Sequence, residues 1–367
     1  SNTFLPTIAE IEAYRDRPPI LATLELVDGS IVAEDIPVTP DQNVERILEM
    51  TMGWLDLHDE RMNTLGIFVY DLGPTPSATP DTTRSPYSNL PRTPRPLRNE
   101  DFLGDMVVQK LRQRRDFRFI VKKKLFMMNE SESVESTDPN YSRLIFMQAE
   151  RDVIFDGLVP VLSEEYAVDM GGVSMVLAFG EETPTTEEGL IEIDCSEFIA
   201  PCFRESKTVE EWSALMLPIV VDLVTVDDIM GLQSEFLKRA MHESSCLMYG
   251  THWFYALKFD KQPSQSKSSN SNSNSIDNLP RKLLLGFNIQ GLHVCDFDRN
   301  VLLSFDYSCI GRWGGGTSQF SIFFNNGNDS GVEESDELSV VTAQAQDMAG
   351  IIMDYIQAIH SMQQAQP

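Results

Sequence analysis

The chain has 367 residues, long enough for two or three compact units, and its 42% hydrophobic and 23% charged content is that of a globular soluble protein. A formal net charge of -27 repels polyphosphate, which excludes a general nucleic-acid binder and confines any anion site to a local patch. No basic n-region and apolar h-region open the sequence, and the longest apolar run, residues 214–224, is interrupted by Pro218 and Asp222 and is too short to span a bilayer.

Residues 20–27 alternate as a strand should, Asp28-Gly29 is a hairpin signal, and residues 30–38 form the return strand. A helix follows, with Thr39 as its cap, Pro40 at its first position, and Val44, Ile47, Leu48, Thr51, Met52 and Leu55 on one face. Residues 65–72 make a third strand, and this order suggests a ubiquitin-like roll. "GPTPSATPDTTRSPYSNLPRTPRP", residues 73–96, is rich in Pro, Ser and Thr and reads as an exposed, disordered insertion. A short helical segment over 99–113 leads to a last strand over 116–124. That strand sets Phe117, Phe119 and Val121 on one face and Arg118, Ile120 and Lys122 on the other.

Residues 138–247 have helical periodicity. Asp138 and Pro139 open one helix; Ser163 and Glu165 open a second. Thr208 and Thr225, each followed by acids in the first turn, open two more, and in the last Ile229, Leu232, Phe236 and Ala240 share a face. This is a small helical bundle. Residues 250–362 turn to β. Six strand-like runs (251–260, 282–290, 292–298, 301–307, 318–326 and 337–342) precede an amphipathic helix from about Ala343, with Ala345, Met348, Ile352, Tyr355, Ile356 and Ile359 on its apolar face. The Ser/Asn-rich stretch after the first of these strands, within 260–280, reads as a disordered loop. A β-sandwich closed by one helix is the pleckstrin-homology or phosphotyrosine-binding architecture.

No catalytic constellation stands out, and the sequence predicts no enzyme, no cofactor and no metal. The five histidines (His58, His242, His252, His293, His360) are isolated from one another. The glycine-rich "GRWGGGTS" at 311–318 lacks the Lys-Ser/Thr of a phosphate loop and reads as a flexible connection between strands. The acids of 328–337 lack EF-hand spacing and read as a solvated loop. Five scattered cysteines without a CxxC pair predict reduced thiols in an intracellular protein.

Two features can carry binding. The strand Gln319, Phe320, Ser321, Ile322, Phe323, Phe324 reads as a sheet edge beside the closing helix. An incoming peptide can add a strand there and pack on Met348, Ile352 and Tyr355, although alternation must also send some of these phenylalanines into the core. The second feature is "KLRQRRDFRFIVKKKLF", residues 110–126, in which eight cations meet a single acid, Asp116. Its strand residues are core candidates. Lys122, Lys123 and Lys124 are then either a site for an acidic partner or lipid, or a solvated or lobe-bridging face.

The order roll, bundle, sandwich resembles the FERM domain (the four-point-one/ezrin/radixin/moesin module). "PRPLRNEDFLGD" followed by "FRFIVKKKLF" is similar to the end of its first lobe, "YSRLIFMQAERDVIFDGLVPVLSEEYAVDM" to its second lobe's opening helices, and "FLKRAMHESSCLMYGTHWFYAL" to the passage into the third. "LLLGFNIQGLHVCD", "SFDYSCIGRW" and "TAQAQDMAGIIMDYI" resemble its third-lobe strand, corner and helix motifs. "LPTIAEIEAYRDRPPI" resembles the segment that joins a myosin-tail-homology domain to FERM in unconventional myosins and certain kinesins. The resemblance implies an α+β cloverleaf: a linker over 1–19, a ubiquitin-like lobe over 20–127, an acyl-CoA-binding-protein-like bundle over 128–248, and a pleckstrin-like lobe over 249–362. It also implies a cytoplasmic, cytoskeleton-associated, non-enzymatic adaptor. Partners would be cytoplasmic tails of membrane proteins or cargo adaptors, taken in the third-lobe groove, or the chain's own motor domain in autoinhibition. The alternative it leaves open is an ezrin- or talin-type scaffold that binds acidic phospholipid at the membrane periphery. One departure is Gly171-Gly172, where the family has helix formers; two glycines predict a kinked or frayed helix.

Overall fold

The computed structural model describes residues 20–38, 42–74, 94–113, 115–126, 138–226, 228–242, 248–259, 276–297, 299–325 and 336–365. In the first lobe, β1 (Ile20–Glu25) and β2 (Ile31–Val38) form an antiparallel hairpin. Its turn is held by Asp28, which accepts from the Ser30 backbone N–H at 2.9 Å, while Gly29 takes the positive φ of +85°. α1 (Val44–Trp54) buries Val44, Ile47, Leu48, Thr51 and Met52, the face that periodicity predicts. Its cap is Asn43, whose side chain accepts from the Arg46 N–H; Thr39 and Pro40 lie before the helix and outside the described residues. β3 (Leu65–Pro74), β4 (Arg95–Pro96), α2 (Leu103–Arg112) and β5 (Arg115–Lys123) complete the lobe. The sheet order is β2-β1-β5-β3-β4, with β1 and β5 parallel. Both ends of the 73–96 stretch therefore belong to the sheet, since Phe68 and Val69 of β3 pair with Pro96 and Arg95; its middle lies outside the described residues.

In the second lobe, α3 (Pro139–Glu150) has Asp138 as its cap and passes without a break into a π-helical turn, Arg151–Phe155. α4 (Glu164–Phe179) is capped by Ser163, α5 (Val209–Leu223) by a Thr208–Glu211 capping box, and α6 (Ile229–Met241) by Asp228 rather than by Thr225. Leu232, Phe236 and Ala240 of α6 are buried, with Phe236 edge-on to Phe146, whereas Ile229 stands 62% exposed at the helix start. The expected fourth member of that face thus projects from the bundle. The first two lobes share one continuous apolar core, and the third has its own.

In the third lobe, β6 (His252–Lys258), β7 (Lys282–Asn288), β8 (Gly291–Cys295), β9 (Val301–Phe305), β10 (Ile310–Gly315), β11 (Gln319–Phe324) and β12 (Asp336–Val341) form one sheet in the order β10-β11-β12-β6-β7-β8-β9. α7 (Ala345–Ala365) closes it, and its inward residues Met348, Ile351, Ile352 and Tyr355 join the sheet's core. The predicted strands number six; the seventh, β10, lies in the glycine-rich segment expected to be a connection.

Gly171 and Gly172 do not interrupt α4, which is α-helical from Glu164 to Phe179. They let neighbours approach. A Cβ on Gly171 would lie 2.5 Å from the Phe198 carbonyl oxygen, and one on Gly172 would lie 2.8 Å from Ile219 Cγ2 of α5. Close packing offsets the glycine propensity cost. Gly171→Ala should lower stability by about 1–3 kcal/mol, and Gly172→Ala by less, because a side-chain methyl yields more readily than a backbone oxygen. Thermal unfolding of the two variants checks the order; equal or improved melting temperatures would refute the packing account.

Candidate partner-binding site and the lobe junction

The third-lobe sheet has two edges, β10 and β9. β11 is not one of them. It pairs along its length with β12 on one side, from Gln319↔Val341 to Phe324↔Asp336, and with β10 on the other. Its backbone groups are committed, so no incoming strand can pair with it. Phe320, Ile322 and Phe324 point into the core, Gln319 is exposed, and Ser321 and Phe323 lie half-buried on the opposite face. Met348, Ile352 and Tyr355 are fully buried, and Tyr355 donates its hydroxyl to the Gly250 carbonyl at 3.2 Å. The proposed contact residues on both elements are therefore largely structural.

The open edge beside α7 is β10, "IGRWGG". Only β11 pairs with it among the described strands. A Cβ on Gly315 would lie 3.1 Å from both the Ala345 Cβ and its carbonyl oxygen, so the end of the strand sits tight against the first turn of α7. Trp313, opposite Ile322, is half-buried against the third-lobe core, as are Ala349 and Ile356 of α7. Gly314 has open space where a side chain would stand. Arg312 is exposed and lays its guanidinium 4.1 Å from the Phe323 ring centroid. Met353 of α7 is 46% exposed. Three glycines in six residues hide this strand from propensity reasoning; the weak signal was the Arg312-Trp313 pair between them.

Much of the basic stretch is absorbed by the fold, while Arg112 stays exposed. Lys110 of α2 and Arg115 of β5 both bind Asp71 of β3, at 2.9 and 2.7 Å. Arg118 reaches Glu25 at 3.4 Å. Arg114 lies outside the described residues. Lys122, Lys123 and Lys124 are buried, contrary to a partner- or lipid-facing role, because the other two lobes close over the end of β5. Lys122 places its ammonium 4.7 Å from the Phe68 ring centroid and 5.7 Å from that of Tyr70. Burial works to lower its pKa, but Tyr70 and Asp152, the latter in the π-helical turn of the second lobe, outweigh burial and raise it. Burial raises the Asp152 pKa, and Lys122 opposes that shift. The Lys123 backbone exchanges two hydrogen bonds with the Gln148 amide of α3, at 2.7 and 3.1 Å. Lys124 pairs with Asp354 of α7 at 2.7 Å. Three successive residues thus engage the second lobe, the second lobe again, and the third.

His252, the first residue of β6, completes this junction. Its Nε2–H donates to the Lys124 carbonyl at 2.6 Å, which fixes the tautomer, and its ring stacks on Phe68 with centroids 6.0 Å apart. Burial, reinforced by the nearby Lys122 and Lys124 charges and opposed by the hydrogen bond to the Lys124 carbonyl, pushes its pKa down to about 3. Two further contacts clamp the second and third lobes: Trp253 Nε1–H donates to the Leu158 carbonyl at 3.1 Å, and Arg299 donates to the Gly157 carbonyl. Between the first and third lobes lies a polar cleft of about 380 Å³, lined by Asp71, Lys110, Arg95 and Asp347 among others. Its cations are paired, with Arg95 on Asp347 at 2.7 Å and Lys110 on Asp71.

A ubiquitin-like roll, a helical bundle and a phosphotyrosine-binding-like sheet with its closing helix, locked at one junction, is a three-lobed cloverleaf. The family described as the PTB domain of IRS-1 type matches residues 267–360, within the third lobe. Among solved structures, a mutant of the Dictyostelium discoideum myosin VII MyTH4-FERM MF2 domain is similar, with a TM-score of 0.68 at 13% identity over 95% of this chain and 64% of that one. This is the FERM fold. The human myosin 7b C-terminal MyTH4-FERM domain, solved in complex with the harmonin-a PDZ3 domain, matches with a TM-score of 0.64 at 14% identity over 96% of this chain and 63% of that one. The complex of the FERM and C-terminal domains of Drosophila merlin matches with a TM-score of 0.61 at 16% identity over 94% and 98%. The chain spans somewhat under two thirds of the myosin structures it matches. No curated protein matches it. Among the described residues no helix of this FERM fold is long and apolar enough to cross a membrane, and no group of three His, Cys, Asp or Glu could hold a metal ion.

The His252 environment carries a pH dependence. The unfolded histidine titrates at its ordinary value of about 6.5, the folded one at about 3. Between those values the unfolded state binds the additional proton, so stability falls as pH drops below about 6.5, by up to about 1.4 kcal/mol per pH unit. His252→Gln, which keeps a donor for the Lys124 carbonyl, should flatten that slope. Melting curves of the two proteins between pH 7.5 and pH 4.5 test it (~two pH units of that range lie within the window); parallel slopes would show that His252 is not the group responsible.

Proposed function

We propose that this chain is a non-enzymatic protein-binding FERM module of a cytoskeletal motor tail, and that it takes extended segments of cargo or membrane-protein tails at β10. The observation that carries this reading is a sheet edge that, among the described residues, pairs on one side only and is seated beside the closing helix. The main chain of β10 can hydrogen-bond an added strand, Gly314 leaves space for a close backbone, and Trp313, Ala349, Ile356 and Met353 offer apolar contact. The motor-tail placement is supported by the fold likeness to myosin VII and myosin 7b MyTH4-FERM domains and by the resemblance of "LPTIAEIEAYRDRPPI" to the joining segment. That the myosin 7b structure contains a PDZ partner supports protein binding as the activity. Folding back onto a motor domain is a second use for the same surface in such a tail.

The lipid-scaffold alternative loses its residues, because Lys122, Lys123 and Lys124 are buried between lobes and the cations named in the inter-lobe cleft are already paired with acids. Met353→Asp, at an exposed position, should leave the melting temperature unchanged and weaken binding of a cargo-tail peptide about tenfold in titration calorimetry. Ile352→Asp is unsuitable, since it buries a carboxylate in the core. Unchanged affinity in Met353→Asp, together with no change in hydrogen exchange along residues 310–315, would move the site away from β10. The wild-type chain should also fail to float with phosphoinositide liposomes; salt-sensitive flotation would revive the lipid reading.

A further inference from the structure

A second surface, independent of the β10 groove, lies on the helical lobe. α5 is apolar nearly all round. Trp212, Met216 and Val220 fill the bundle, yet Leu215 and Val221 on the outward side are each 40% exposed. The turn into α6 continues the strip with Val226, Ile229 and Met230, between 42% and 62% exposed. An all-round apolar helix on a surface is one whose outer face has a partner. Pro218, exposed in the middle of this face, has no N–H, so the Ala214 carbonyl one turn earlier lacks its helical donor and is left as an acceptor.

The charge around the strip decides what fits. Residues 208–237 contain six acids and no Lys, Arg or His. Glu210, Asp222 and Asp228 are exposed, and Asp222 follows Pro218 by one turn on the same face. Of the cations that border it, Lys207 pairs with Glu164 at 2.9 Å and Arg239 with Asp169 at 3.0 Å, while Lys238, in the last turn of α6, is exposed. Such a face repels an anionic membrane. It also repels a second copy of itself across a two-fold axis, since that would bring acids against acids. A cationic partner with its own apolar stripe matches it on both counts. We infer that the outward face of α5 and the α5–α6 turn docks a basic amphipathic helix of a protein partner, with its apolar stripe on Leu215, Val221 and Ile229 and its Lys or Arg side chains on Glu210, Asp222 and Asp228.

The probe is a synthetic amphipathic helix of leucine and lysine, titrated into the intact chain. Two controls accompany it: a peptide of the same composition scrambled to break the stripe, and one with glutamate in place of lysine. The lysine helix should bind with salt-sensitive affinity, protect amide hydrogens within residues 209–230, and bind about tenfold more weakly to the Val221→Lys/Ile229→Lys double variant. Both positions are exposed, so the melting temperature should hold; if the double variant is destabilised, Leu215→Gln should give the same weakening. Equal binding of the scrambled or glutamate peptide, unchanged affinity in the variants, or protection confined to another lobe would overturn the inference. So would self-association in sedimentation that Val221→Lys abolishes, which would assign the face to a second copy.

Discussion

Three consecutive lysines at the end of β5 hold the lobes together. A β-strand sends successive side chains to opposite faces, so three residues in a row necessarily reach different surroundings. In this chain Lys122 and Lys123 meet the second lobe and Lys124 the third. Lys122 is charge-coupled to Asp152, the Lys123 main chain is hydrogen-bonded to Gln148, and Lys124 is paired with Asp354. Burying three ammonium groups is costly, and the cost is met by aromatic faces, carboxylates and the dense hydrogen bonding around them. A lysine without such partners at this position would separate the lobes. The arrangement therefore makes cloverleaf geometry conditional on all three lobes being folded.

His252 makes the same junction sensitive in a second way. It occupies a site that accepts only a neutral ring, between two lysine charges and two aromatic neighbours, Phe68 and Tyr355. Its hydrogen bond reads the Lys124 carbonyl, so the first and third lobes are tied through backbone as well as through the Lys124–Asp354 pair. The two surfaces proposed for binding lie away from this junction. The β10 edge sits at one margin of the third lobe and the α5 face on the outside of the second. On the two proposals made above, an extended peptide and a cationic helix would be taken on separate lobes, neither of them at the lysine junction.

Much of the fold is legible locally. The Asp138 cap with Pro139, the Thr208 capping box, the inward face of α7 and the alternation of Phe320, Ile322 and Phe324 all follow from contacts within a few residues. The candidate site was less legible. Alternation identifies β11 as a strand with one buried face, but it says nothing about which strands flank it, and the flanking strand β10 was concealed by its glycines. Ile229 satisfies a helical period and still stands in solvent, because a period shows which residues share a face and not how far the neighbouring elements extend.

The order of lobes, the Asp138, Ser163 and Thr208 helix caps and the inward face of most elements are written in the local sequence, because those depend on short-range sterics, capping and amphipathic period. Long-range packing set the rest: the lysine run is buried, Gly171 and Gly172 serve close packing, and among the described residues β10 and not β11 is the edge strand and the outer face of α5 is exposed. Each of these depends on what arrives from a distant part of the chain: Asp354 and His252 at Lys124, Phe198 and Ile219 at the glycines, β12 at β11. A charge or a glycine carries no mark of its eventual neighbour, and burial is a property of the assembled lobes, not of the segment that becomes buried.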